Sequence, residues 1–150
     1  MKLGRNLERA DMTTRLLDAG VRAQMQVWDD EDAVNAKQIV WGNVLRSLGA
    51  DQSYRRSVRA AVKSKQVARY IIEDPSFPRT IAYCLSAVNE SLECLPNNEK
   101  VLKGVHKIQK TILTNVDYTN LGEPMKEFLN DIQLDIVSIH NSVSQNWFKY

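Results

Sequence analysis

The chain has 150 residues, 43% apolar and 25% charged, values that suit one soluble globular domain and argue against disorder. At that length about 68–70% of the unfolded surface can be buried, and only six Gly and four Pro favour helix over a turn-rich β design. A net charge of +2 is too small to imply nucleic acid or an anionic membrane by itself.

The first element starts almost at residue 1. Leu3, Leu7, Ala10, Thr14, Leu17 and Val21 recur in steps of four and three, a helical stripe that runs to about Val27. Asp11 with Arg15 and Asp18 with Arg22 are acid-first i,i+4 pairs, which add support along its outer surface. Gly20 is costly inside a helix and predicts a bend or a close approach. The acidic stretch Asp29-Asp30-Glu31-Asp32 then signals a second helix, from about Asp32 to Leu48, closed by Gly49 and burying Trp41, Val44, Leu45 and Leu48. Asp51 is expected to cap a short helix over 52–60, and Ser64 another over 65–73 with Val67, Tyr70 and Ile71 inward.

Asp74-Pro75-Ser76-Phe77-Pro78 is the sharpest punctuation in the chain. Ser76 reads as an N-cap and Pro78 as a first-turn proline, which predicts a helix over 77–95 with Ile81, Leu85, Val88 and Leu92 buried. Helices over 98–115 and 124–148 complete the chain. The first carries Val101, Leu102, Val105, Ile108 and Ile112, and the second Phe128, Leu129, Ile132, Ile136, Ile139 and Val143. The expectation is a single all-α domain over 1–150, a bundle of about five long helices plus a short one.

Cys84 and Cys94 lie ten residues apart in one predicted helix, about 15 Å along its axis, too far for a disulfide. Reduced thiols, the absence of an apolar run near 18–20 residues and the early charges Arg5, Glu8 and Arg9 together predict a cytoplasmic protein with no membrane partner. His106 and His140 lack metal-ligand spacing, and Asp131 with Asp135 has no matching His. No phosphate loop, serine elbow or Cys-x-x-Cys occurs, so neither metal nor cofactor is expected. Trp28, Trp41 and Trp147 read as core or interface anchors.

Two polar constellations stand out. Arg5 lies one turn before the adjacent Glu8 and Arg9, and with Asp11 they form a candidate polar groove for a carboxylate, phosphate or peptide end. The competing reading is an ion-pair network that fixes helix register, the commoner outcome for such groups. The second constellation is a basic stretch with no acid from 52 to 72. Arg55, Arg56, Arg59 and Lys63 form a candidate partner-binding face there, against a plain solvated surface. No stacking platform accompanies it, so nucleic acid is not the expected partner.

The string Leu3-Gly4-Arg5-Asn6-Leu7-Glu8-Arg9-Ala10-Asp11-Met12-Thr13-Thr14-Arg15-Leu16-Leu17-Asp18 resembles the signature helix of the bacterial alpha-E family, named for its helices and its Glu-Arg pair. Trp41, Leu45-Arg46-Ser47-Leu48-Gly49-Ala50, Tyr54-Arg55-Arg56 and Ile71-Ile72-Glu73-Asp74-Pro75-Ser76-Phe77-Pro78-Arg79 follow in the family's order, as do Cys84-Leu85 and Glu127-Phe128-Leu129. The resemblance is to the second half of longer members built from two related helical halves. It implies an apolar surface that the other half would cover, and hence a homodimer. It also implies association with ATP-grasp or transglutaminase-like proteins in peptide-modifying, amide-bond-forming systems. A non-catalytic interaction or scaffold module is the expected role. The alternative is an enzyme of the same pathway, with Glu8 as acid/base and Arg5 or Arg9 binding an anionic peptide substrate.

Overall fold

The apolar stripe of the first segment becomes one helix that buries Leu3, Leu7, Ala10, Thr14, Leu17 and Val21 on a single side. The computed structural model describes residues 2–148. Among them it places α1 (Lys2–Met25), α2 (Ala33–Ser47), α3 (Asp51–Val58), α4 (Ser64–Glu73), α5 (Ile81–Glu93), α6 (Glu99–Thr114) and α7 (Glu123–Trp147), with no strand. The count differs from the expectation by one. Both 51–58 and 64–73 stay short, at 8 and 10 residues, beside five helices of at least 13.

Side-chain ties give the packing order. Lys2 pairs with Glu90 at 3.7 Å, and the Thr13 hydroxyl donates to the Arg79 carbonyl at 2.6 Å, so α1 and α5 run antiparallel. Asn89 meets His106 at 3.0 Å across the α5–α6 turn. Lys107 reaches Asp135, and Trp147 Nε1 donates to the Pro96 carbonyl at 3.0 Å, which sets α7 antiparallel to α6. Asp18 and Arg22 face 123–133 while Leu7 and Glu8 face 136–140, so α7 also opposes α1. Helices α1, α5, α6 and α7 therefore form an up-down-up-down ring of four, with α2–α4 inserted in its first connection. Their inward rows, Ile81–Leu92, Val101–Ile112 and Leu129–Val143, meet the α1 stripe in one core.

The inserted helices cap the C-terminal half of α1. Trp41 is wholly buried there, its indole N–H donating to Gln24 Oε1 at 2.7 Å. Gly20 accounts for the close fit, because a Cβ on it would lie 2.8 Å from Val44 Cγ2 and 3.2 Å from the Trp41 ring. The close approach is thus present at Gly20. Gly49, at φ +66°, ends α2 in a Schellman motif: Gly49 N–H bonds the Arg46 carbonyl and Ala50 N–H the Leu45 carbonyl, with Ala50 and Leu45 both buried.

Some local expectations are corrected. α5 begins at Ile81 rather than Phe77, and its cap is Thr80, whose hydroxyl accepts from Tyr83 N–H, rather than Ser76. The Asp74 carboxylate takes the N–H groups of Ser76 and Phe77, which holds 74–79 in turns and postpones the helix. Asp51 and Ser64 are the first residues of α3 and α4, one place inside the expected caps, and Ala50 and Lys63 hold the cap positions. Trp41 lies in the core and Trp147 packs partly buried against it, whereas Trp28 is 84% exposed and is no core anchor.

Replacing Gly20 by Ala sets a helix-propensity gain of about 1 kcal/mol against overpacking of about 1–3 kcal/mol. Val44 is β-branched and stiff, so the clash prevails. Denaturant midpoints are expected to show Gly20→Ala destabilised by about 1–2 kcal/mol. In a Val44→Ala background the loss shrinks or reverses. Equal losses in both backgrounds would contradict the packing described.

Candidate functional site

Leu7 points into the core, and Glu8, turned about 100° further round the helix, comes out at the edge of α1 that faces α7. There Leu7, Glu8 and Asp11 face Ile136, Val137 and His140 across a shallow groove of about 160 Å³. Glu8 is exposed and has no hydrogen bond or ion pair among the described residues. Asp11 Oδ2 accepts from Arg15 Nε at 3.0 Å, whereas its Oδ1 is buried in the groove wall with no partner. Val137 is 49% exposed, and Met12 and Leu134, one turn further along α1 and α7, are 63% and 61% exposed. The groove is therefore apolar in its floor, at Leu7 and Ile136, and edged by the carboxylates of Glu8 and Asp11.

The two arginines do not join it. Arg9 is half-buried on the other flank of α1, where its charge reaches the Cys84 thiol of α5. Burial pushes that thiol up to about 11 and the nearby guanidinium only partly offsets it, so Cys84 is a packed, protonated thiol. Its Sγ contacts the Pro78 carbonyl at 3.6 Å. Arg5 projects to solvent between the flanks. Of the four residues expected to share a groove, Glu8 and Asp11 do so. Adjacent residues of one helix cannot occupy the same face, so Glu8 and Arg9 straddle α1, one towards α7 and one towards α5.

The basic residues sit at the opposite, capping end. Arg55, Arg56 and Arg59 belong to α3 and its C-terminus, and Lys63 to the connection into α4; all four are exposed and none makes an ion pair among the described residues. Arg59 closes α3 in a left-handed conformation, φ 52°, its N–H bonded to the Arg55 carbonyl. Arg69 is different: it pairs with Glu73 at 3.5 Å and lies 5.0 Å over the Tyr118 ring.

His140 was not among the site residues expected from sequence. It has no partner at metal-ligand spacing on its own helix and comes beside Glu8 only through the antiparallel packing of α1 and α7. Its place on the α7 edge, one turn after Val137 and next to the buried Ile139, is the signal a helical projection offers. Among the described residues, no group of three or more His, Cys, Asp or Glu side chains converges as metal ligands, and no helix is long and apolar enough to cross a membrane.

Residues 1–148 match the family described as Alpha-E, a predicted alpha-helical domain with a conserved ER motif, and the chain belongs to that family. Glu8-Arg9 is the one Glu-Arg pair in its sequence. No curated protein and no solved structure matches the chain.

Proposed function

Taking membership of the Alpha-E family as the premise, we propose that this chain is a non-catalytic interaction module whose α1–α7 groove receives a protein partner. The observation that carries the proposal is Glu8: an exposed carboxylate without a partner, at the mouth of a groove that continues into exposed Val137, Met12 and Leu134. An apolar strip edged by charge suits protein recognition, the apolar part supplying burial and the carboxylate register. The class of partner comes from the family resemblance, an ATP-grasp or transglutaminase-like protein of an amide-bond-forming system. The second reading is an enzyme of that system with Glu8 as acid/base and Arg5 or Arg9 binding an anionic peptide. The presence of His140 beside Glu8 supports it, and the position of both arginines off the groove weighs against it.

Calorimetric titration against an ATP-grasp protein and a transglutaminase-like protein tests both readings. Val137→Asp is expected to weaken binding by about tenfold or more, with melting within about 0.5 kcal/mol of the parent, because the side chain is half exposed. Glu8→Gln is expected to weaken binding without a selective loss of turnover. Binding untouched by Val137→Asp would contradict the module, and turnover lost in Glu8→Gln with native melting would favour the enzyme.

We further propose that the exposed apolar residues Met25, Trp28 and Val34 of the α1–α2 connection support a two-fold homodimer. Light scattering at tens of micromolar is expected to give twice the chain mass, falling to the single mass in Trp28→Glu. A parent protein that stays monomeric would remove this part of the proposal.

A further inference from the structure

A second cleft lies at the capping end, away from the α1–α7 groove and independent of the function proposed for it. Ser53, Arg56 and Ser57 are spaced i, i+3, i+4 on α3 and so share one face. That face looks across at Tyr70 of α4 and at Ser76, Phe77 and Pro78 of the connecting loop, enclosing about 240 Å³, room for several water-sized groups. Along Tyr70 and Asp74 it continues into a larger hollow beside Val58, Gln66, Arg69 and Glu73.

Tyr70 is the telling residue. It is 5% exposed, and its ring is fixed edge-on by Tyr54 at 5.4 Å and flanked by Phe77 at 6.4 Å. The hydroxyl therefore cannot swing out to water, yet it is buried with no hydrogen-bond partner. The Ser53 and Ser57 hydroxyls lie near hydrogen-bond range of it but short of bonding geometry. Gln66 Oε1, in the adjoining hollow, is orphaned in the same way. Buried polar groups are paired in the great majority of cases, and a rigid unpaired hydroxyl at the wall of an open cleft points to a missing partner.

The charge of the cleft says what kind. Arg56 lines it and makes no ion pair among the described residues. The opposing charge is Asp74, and its Oδ2 already takes the N–H groups of Ser76 at 3.1 Å and Phe77 at 2.9 Å. Beside the Asp74 carboxylate the lining offers a set of donors: one guanidinium and the hydroxyls of Ser53, Ser57, Tyr70 and Ser76, brought in from α3, α4 and the loop. A planar carboxylate is satisfied by the arginine fork alone, whereas a tetrahedral anion with three free oxygens uses donors from several directions. We infer that this cleft binds a phosphoryl group, with Arg56 supplying the charge and the Tyr70 hydroxyl donating the buried hydrogen bond.

Thermal unfolding in inorganic phosphate, against chloride and acetate at matched ionic strength, tests the inference, with O-phosphoserine as a probe for a carried phosphoryl group. A rise in Tm that grows with the logarithm of phosphate or phosphoserine concentration, absent in chloride and acetate, is expected. Whichever of the two probes raises Tm at lower concentration tells whether the natural ligand is free or carried. Tyr70→Phe is expected to melt no lower than the parent without phosphate, since it removes an unpaired hydroxyl, and to weaken phosphate binding by about tenfold. Arg56→Gln is expected to abolish the rise while Arg56→Lys keeps part of it. An equal rise in acetate, an undiminished rise in Tyr70→Phe, or a marked loss of melting temperature in Tyr70→Phe without phosphate would each overturn the assignment.

Discussion

A helix that borders four neighbours has to present a different surface to each, and α1 does so with side chains of graded size and polarity. Leu3, Leu7 and Leu17 fill the ring of four helices, where bulk is wanted. Ala10 and Gly20 keep the helix narrow where other elements come close, and at Gly20 the margin is smaller than a methyl group. Thr13 and Thr14 are buried polar residues whose hydroxyls are spent on carbonyls, Arg79 for the first and Asp11 for the second. The Thr13 bond matters beyond its own energy of about 1 kcal/mol, because it fixes the 74–80 loop. From that loop Arg79 reaches on to the Leu48 carbonyl at the end of α2. One inner face therefore registers the ring of helices and the inserted cap together.

The same arrangement decides what the family's Glu-Arg pair can do. With the inner face committed to packing, Glu8 and Arg9 are left on opposite flanks, about 100° apart. Glu8 opens towards α7 and water. Arg9 lies along α5 near a thiol that burial keeps protonated. A pair adjacent in sequence is thus split between two helix interfaces.

Much of this was legible in the chain. The period of Leu3 to Val21 and of Leu129 to Val143 identified the inner rows of α1 and α7, because a helix in a bundle buries a stripe of fixed period and these rows have no interruption. Gly49 marked the end of α2 for a reason that holds locally, its left-handed φ. The start of α5 lies later than the sequence suggests because Asp74, two residues before Ser76, takes the N–H groups of Ser76 and Phe77 and holds the expected first turn in a loop. The groove was legible only by half. Glu8 and Asp11 are one turn apart on one helix, but His140 and Val137 arrive through antiparallel packing that no local spacing encodes. The orphaned Tyr70 hydroxyl was hidden for a similar reason. As a core aromatic Tyr70 fits its helix stripe, and only the placement of α3 and the loop reveals that its polar tip is unmet.

Native-state hydrogen exchange tests the central role of α1 most directly, since it resolves the free energy at which each helix opens. Amides from Ala10 to Leu17 are predicted to be among the slowest in the chain and to exchange with the free energy of global unfolding, because neither the helix ring nor the cap can persist once α1 is lost. Exchange of those amides at a clearly lower free energy than α6 and α7 would contradict that role and make α1 a peripheral helix.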